Sequence, residues 1–172
     1  MKVVRIPEER VGALIGSDGD TKEQIEELTN SELDIDDAEV TVESDDPLEE
    51  LRAQSIVKAI GRGFGIEAAL RLLEDNAILA VIDISNFTET SNGKERLKGR
   101  VIGHNGESKE HIENTTDTEL AIYGKTVSII GNAANVEIAK NAVEILLDGS
   151  SHGTAWQYIE QNQHKLATQP VR

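Results

Sequence analysis

Two short stretches of this chain carry its most distinctive chemistry: Ile15-Gly16-Ser17-Asp18-Gly19 and Ile102-Gly103-His104-Asn105-Gly106. In each, two glycines stand three positions apart, just ahead of a segment with helical periodicity. A backbone without Cβ atoms turns sharply and stays bare, while the helix that follows directs its unpaired N–H groups and the positive end of its dipole at that turn. A phosphodiester backbone can lie against such a loop. The same spacing also serves an ordinary helix–turn–helix connection for steric reasons alone, so a single copy is weak evidence.

The two stretches differ at their middle positions. His104 and Asn105 can donate hydrogen bonds to a phosphate or a base, whereas Ser17 and Asp18 place a carboxylate where a phosphate would sit. The candidate nucleic-acid site is therefore Gly103, His104, Asn105 and Gly106, with Gly16, Ser17, Asp18 and Gly19 as a weaker second. Lys94, Arg96, Lys98 and Arg100 recur at every second residue just before the second stretch, where the first has Pro7, Glu9, Val11 and Ala13. An isolated run of this kind is usually a solvated helix face, but its placement against the glycine loop makes Arg96, Lys98 and Arg100 expected nucleic-acid contacts, Arg100 foremost and Lys98 least. Alternate residues spread around a helix, however, so only two of the four basic side chains face one ligand. Lys109 and Lys22 follow the loops; each is either a phosphate contact or a helix-surface lysine. Ile102 and Ile122 are candidates for apolar support beneath bases.

Other chemistries find less support. The chain has no cysteine, which excludes disulfides, thiolate metal sites and a thiol nucleophile. Gly124-Lys125-Thr126 resembles the end of a phosphate-binding loop, but Glu119 stands where that motif needs glycine, so a tight turn is expected instead. The carboxylate runs Asp34-Ile35-Asp36-Asp37 and Glu43-Ser44-Asp45-Asp46 fit no metal-ligand spacing. His104, His111, His152 and His164 form no i, i+4 pair, and Trp156 is expected to anchor a helix. No catalysis, cofactor or metal is expected.

The elements that position these loops come from a duplication. Shifting the sequence by 87 residues aligns 13 identities over the 31 positions from 12 to 42, without a gap. The chain is thus two tandem domains, expected at 1–77 and 78–172. In the first, the pattern predicts a strand Lys2–Ile6, helices Glu8–Ile15 and Thr21–Leu28 (with Ile25 and Leu28 on one face), and two strands around Leu33/Ile35 and Val40/Val42 turning at Asp36-Asp37. A long helix then starts at Pro47, with Leu48, Leu51, Ile56, Ala59 and Ile60 as its apolar face. In the second, it predicts a strand Ile78–Ile84, helices near Lys94–Ile102 and Glu107–Asn114, strands Glu119–Tyr123 and Thr126–Ile130, and a helix Val136–Leu147. An amphipathic connector Ile66–Leu73 and a terminal helix near Thr154–Leu166 complete an α+β chain.

Charge is lopsided. The 172 residues carry a net −15, with 8 basic and 21 acidic side chains in residues 1–86 against 9 and 11 in the remainder. So acidic a chain suggests a halophilic cytoplasm, where salt screens self-repulsion and recognition leans on hydrogen bonds and apolar contact. Regular apolar periodicity argues against disorder, except at the extreme C-terminus. Apolar runs are only a few residues long and no secretory segment opens the chain, so a cytoplasmic location is expected.

The doubled Ile-Gly-x-x-Gly, each followed by lysine and isoleucine at fixed spacing (Lys22 and Ile25; Lys109 and Ile112), resembles the KH-domain family in its type I topology. That resemblance implies two β-α-α-β-β-α domains, each a three-stranded sheet packed against helices. It also implies that the glycine loop clamps about four single-stranded nucleotides whose bases rest in an adjacent apolar groove. More narrowly, Gly61-Arg62-Gly63-Phe64, the Tyr123–Val127 hairpin and Leu147-Asp148-Gly149-Ser150-Ser151-His152 resemble the archaeal branch of the small-subunit assembly factors called partner of Nob. From this follow an expected ligand, the 3′ region of small-subunit ribosomal RNA, and expected partners, the Nob endonuclease and the alpha subunit of initiation factor two. The alternative is a protein-interaction scaffold with vestigial RNA loops.

Overall fold

The computed structural model describes residues 1–167; the extreme C-terminus, where the apolar periodicity stops, lies outside them. The chain divides into two compact units, Met1–Glu74 and Asp75–Arg172. The first runs β1 (Lys2–Arg5), α1 (Val11–Ile15), α2 (Asp20–Thr29), β2 (Glu32–Asp36), β3 (Glu39–Glu43), α3 (Pro47–Gly61) and the single turn α4 (Ile66–Ala69). The second runs β4 (Ala77–Asp83), α5 (Ser91–Ile102), α6 (Glu107–Thr116), β5 (Glu119–Tyr123), β6 (Thr126–Asn132), α7 (Ala133–Leu147) and α8 (His152–Gln161). Each unit holds an antiparallel three-stranded sheet with the last strand in the middle, in the orders β1-β3-β2 and β4-β6-β5.

Alternation builds these sheets. Val127 and Ile129 of the central strand β6 are fully buried and join Ile112, Leu97, Val101, Val143 and Leu146 in one core under the helices. The hairpins close on two residues each, with Asp37 (φ 52°) and Gly124 (φ 55°) at the same register, which is the glycine turn expected at Gly124-Lys125. Side chains fix the helix starts: Asp46 accepts from the Leu48 N–H at 2.9 Å ahead of Pro47, and Asn132 accepts from the Ala134 N–H at 3.0 Å.

Several expected elements differ in detail. The segment Glu8–Ile15 splits into a 3₁₀ turn, Glu8–Arg10, and the short α1. The connector Ile66–Leu73 likewise divides into α4 and a 3₁₀ turn, Leu70–Leu73, and the terminal helix stops at Gln161. Leu28, Leu48 and Leu51 are not core residues; all three are about half exposed. The stripe that α3 buries is Ala53, Ile56, Val57 and Ile60, and one turn earlier it passes through Glu50 rather than either leucine. Glu50 tolerates burial because its carboxylate accepts from the N-terminal ammonium at 3.1 Å, and that hydrogen bond holds its pKa below the ordinary range.

Spacing between the copies is not uniform. The Ile6 N–H donates to the Ala38 carbonyl just as the Ile84 N–H donates to that of Lys125, so Ile6 and Ile84 are equivalent. Five residues separate Ile6 from Gly12, whereas fourteen separate Ile84 from its counterpart Gly99. The nine extra residues lie before and within α5, and they are what makes room for Lys94 and Arg96.

Candidate nucleic-acid interface

The two glycine loops have nearly superimposable backbones. Gly16 and Gly103 lie at φ 77° and 76° with ψ near 180°, a region open essentially to glycine alone. A Cβ on Gly103 would fall 2.7 Å from the Ser108 backbone nitrogen, and one on Gly16 would strike the side chains of Asp20 and Thr21. Gly19 and Gly106 are left-handed with nothing within 4 Å of a Cβ, so their faces are open. The third loop position is left-handed as well, with Asp18 at φ 55° and Asn105 at φ 53°. Asp and Asn are the side chains that tolerate this conformation, so backbone geometry narrows the choice at this position and charge is then the variable.

The N-cap positions of α2 and α6 are Gly19 and Gly106, which offer no side chain to cap the helix. The first N–H of each helix, Asp20 or Glu107, donates back to the loop carbonyl of Ser17 or His104. Both helices also carry acids in the first turn, Asp20 and Glu23 in one and Glu107 and Glu110 in the other. His104 and Asn105 are exposed at the tip.

Lys22 and Lys109 occupy equivalent places. Each donates at 3.1 Å to a glutamate one turn on, Glu26 or Glu113. The second carboxylate oxygen of that glutamate accepts from a strand N–H, Leu33 at 2.9 Å or Leu120 at 3.0 Å. Each glutamate thus ties the loop's helix to the strand facing it. Sequence reasoning passed over Glu26 and Glu113, although both lie among the 13 identities and four residues after a lysine.

The basic run does not act as a unit. Arg100, expected to contact RNA, is turned inward: its Nε donates to the Leu146 carbonyl at 2.9 Å and its Nη2 to that of Ser150. It satisfies the end of α7, as Arg10 does for α3 through the Ile60 and Phe64 carbonyls at 2.9 and 3.0 Å. Lys98 pairs with Glu95 at 3.4 Å and its side chain is 21% exposed. Arg96 is exposed and, among the described residues, makes no ion pair. Lys94 is half-buried and, with Lys125, contributes to depressing the Asp83 carboxyl, whose pKa is lowered first by the Ser85 backbone N–H.

Beside the first loop lies a cleft of about 690 Å³ lined by Ile15, Lys22, Leu33, Ile35 and Thr41, and also by Glu32, Asp34 and Glu43. In the second unit the sequence places Ile102, Lys109, Leu120, Ile122 and Ser128 at the matching positions, with Glu119, Ala121 and Ile130 for the three acids. Ile102 and Ile122, the expected apolar contacts, are half-buried, and Ile122 packs against the core. The first copy lines its cleft with three carboxylates, and the matching positions of the second hold one.

Comparison with known proteins agrees with this architecture. Residues 1–75 match the model described as KH domain, and residues 78–164 match the one described as eukaryotic type KH-domain, type I. A KH domain-containing protein of Methanocaldococcus jannaschii is 43% identical over 96% of this chain and 75% of its own. The pre-rRNA-processing protein pno1 of Aspergillus fumigatus is 31% identical over 61% of this chain, which spans only 43% of that protein. Among solved structures, Dim2p of Pyrococcus horikoshii, in a complex described as a/eIF2alpha, aDim2p and rRNA, is 40% identical with a TM-score of 0.89, covering 96% of this chain and 94% of that one. With one KH model matched in each half and the type I order of elements in both units, this chain belongs to the KH-domain family as a tandem pair.

Proposed function

We propose that this chain binds single-stranded RNA, in the 3′ region of the small-subunit ribosomal RNA during maturation, chiefly through Gly103, His104, Asn105 and Gly106. The observation that carries the assignment is the bare, uncapped loop ahead of α6, exposed at His104 and Asn105, where the otherwise matching first loop carries Asp18 beside an acid-lined cleft. Support for the RNA class comes from the pno1 relatives and from the rRNA complex of the Pyrococcus protein. Ile102 and Ile122 provide apolar contact to bases, and Arg96 and Lys109 reach phosphates. Lys98 is a lesser contact because Glu95 competes for it. Gly16, Ser17, Asp18, Gly19 and Lys22 form a weaker second site.

The role is binding without catalysis, in a saline cytoplasm. The alpha subunit of initiation factor two is a proposed partner because the Pyrococcus complex contains it. The Nob endonuclease is proposed on resemblance alone. Replacing His104 and Asn105 together by aspartate in the full chain tests the site. Titration with a single-stranded oligomer carrying the small-subunit 3′ sequence should show at least about a tenfold loss of affinity, some 1.4 kcal/mol. Unchanged affinity would reject the site, and no saturable signal from the unmodified chain at any salt would favour a protein scaffold.

A further inference from the structure

The second glycine loop is fastened from outside by α8, an element with no full counterpart in the first unit. Its anchor is the main-chain carbonyl of Arg100, three residues before Gly103, which accepts from the His152 Nε2–H at 2.9 Å. His152 opens α8, and its ring lies 5.8 Å from that of Trp156 one turn along. Trp156 also meets the ring of His111 on α6, with centroids 4.2 Å apart at 48°. From the last turn of α5, across α8, to the second turn of α6, these contacts close a circuit around Gly103–Gly106.

The circuit is itself held in place. The Arg100 side chain binds α5 to the Leu146 and Ser150 carbonyls just ahead of α8, Ser151 caps that helix, and the Asn141 amide donates to the Tyr158 hydroxyl at 2.8 Å. Trp156 is half-buried against the core. In the first unit the position of His111 is taken by Gln24, and α4 is only four residues long.

We infer that His152 and Trp156 are positioning residues for RNA binding: they hold the second glycine loop in its ligand-ready shape before RNA arrives. This rests on the RNA reading above. Glycine-rich segments lose the most conformational freedom on ordering, so a brace that removes that freedom in advance lowers the cost of binding and acts on dissociation more than association.

The test uses the full chain with four changes, His152→Ala, His152→Gln, Trp156→Leu and the paired His104→Asp, Asn105→Asp control. Two quantities are read: the dissociation rate of the 3′ oligomer and amide exchange at residues 103–108 without RNA. His152→Ala should speed dissociation about tenfold, the size of one lost hydrogen bond, and raise exchange in the loop. His152→Gln, whose amide can donate to the same carbonyl, should restore most of both, whereas Trp156→Leu, which removes the ring that meets His152 and His111, should raise exchange in the loop and speed dissociation as His152→Ala does. If the aspartate pair loses RNA while His152→Ala changes neither quantity, the brace is wrong and the RNA site stands. If exchange rises evenly across the whole unit instead of at the loop, or His152→Gln fails to rescue, α8 is general packing and the inference falls. If neither the aspartate pair nor His152→Ala alters binding, the RNA site and its brace fall together.

Discussion

The two halves of this molecule share a backbone and differ in what surrounds it. Five positive-φ positions recur at one spacing: Gly16, Asp18, Gly19, Asn30 and Asp37 correspond to Gly103, Asn105, Gly106, Asp117 and Gly124. Thr29 and Thr116 donate to the carbonyls of Ile25 and Ile112 at 2.7 and 2.6 Å, and Glu26 and Glu113 tie helix to strand alike. Against that constancy stand Asp18 for Asn105, Asp34 for Ala121 and Glu43 for Ile130. Glycine spacing with the helix behind it is enough to build the loop; what an anion or a base meets there is decided by a handful of side chains.

The sharpest way to break this equivalence is at the first glycine of each loop. Gly103→Ala should cost about 3 kcal/mol or more, combining a strained φ with a clash against Ser108 backbone that cannot move aside. Gly16→Ala should cost less, since it meets only side-chain atoms, of Asp20 and Thr21, and no backbone; calorimetry of the full chain compares the two, and an equal or reversed order would show that the loops are supported alike. Next in size is Arg100→Ala, expected to lose about 2 kcal/mol as the Leu146 and Ser150 carbonyls lose a charged donor, with Arg10→Ala giving a similar loss in the first unit. Arg100→Lys should not restore it, because an ammonium lacks the fork that reaches both carbonyls.

A smaller effect separates structure from binding. Glu113→Gln keeps an oxygen for the Leu120 N–H but releases Lys109, so stability should fall by only about 0.5 kcal/mol while oligomer affinity rises. Unchanged affinity would make Lys109 a helix-surface lysine. Smallest of all is the pH effect of one carboxyl in the second unit, set beside that of Glu50 in the first. The Asp83 carboxyl is depressed, first by the Ser85 backbone N–H, so its contribution is present at neutral pH and is lost as pH falls below the ordinary Asp value toward its folded one. Asp83→Asn should flatten that acid limb in a melting-temperature profile; a limb of unchanged slope would assign it to other carboxylates.

Much of this was legible in the sequence because duplication marks it. Strand Glu119–Tyr123 lies where alternation puts it, and both loops lie where the glycines do. The failures have local physical causes. Leu48 and Leu51 are hydrophobic but lie across the helix axis from Ala53 and Ile56, and the polar residue that does point inward, Glu50, is held by a distant ammonium that periodicity cannot reveal. Arg100 looked like part of a basic stripe, yet its partners lie 46 and 50 residues further along the chain. Contacts of that separation exist only once the chain has folded.

The longer α5 has one more consequence. Arg96 stands seven residues ahead of Gly103, about 10 Å along the axis at 1.5 Å per residue. A cation that far from the loop touches only a strand that continues past it. Under the proposed RNA reading, the shortest oligomer to bind at full strength is set by the reach of this helix, and trimming nucleotides from that end should remove the arginine's share in a single step.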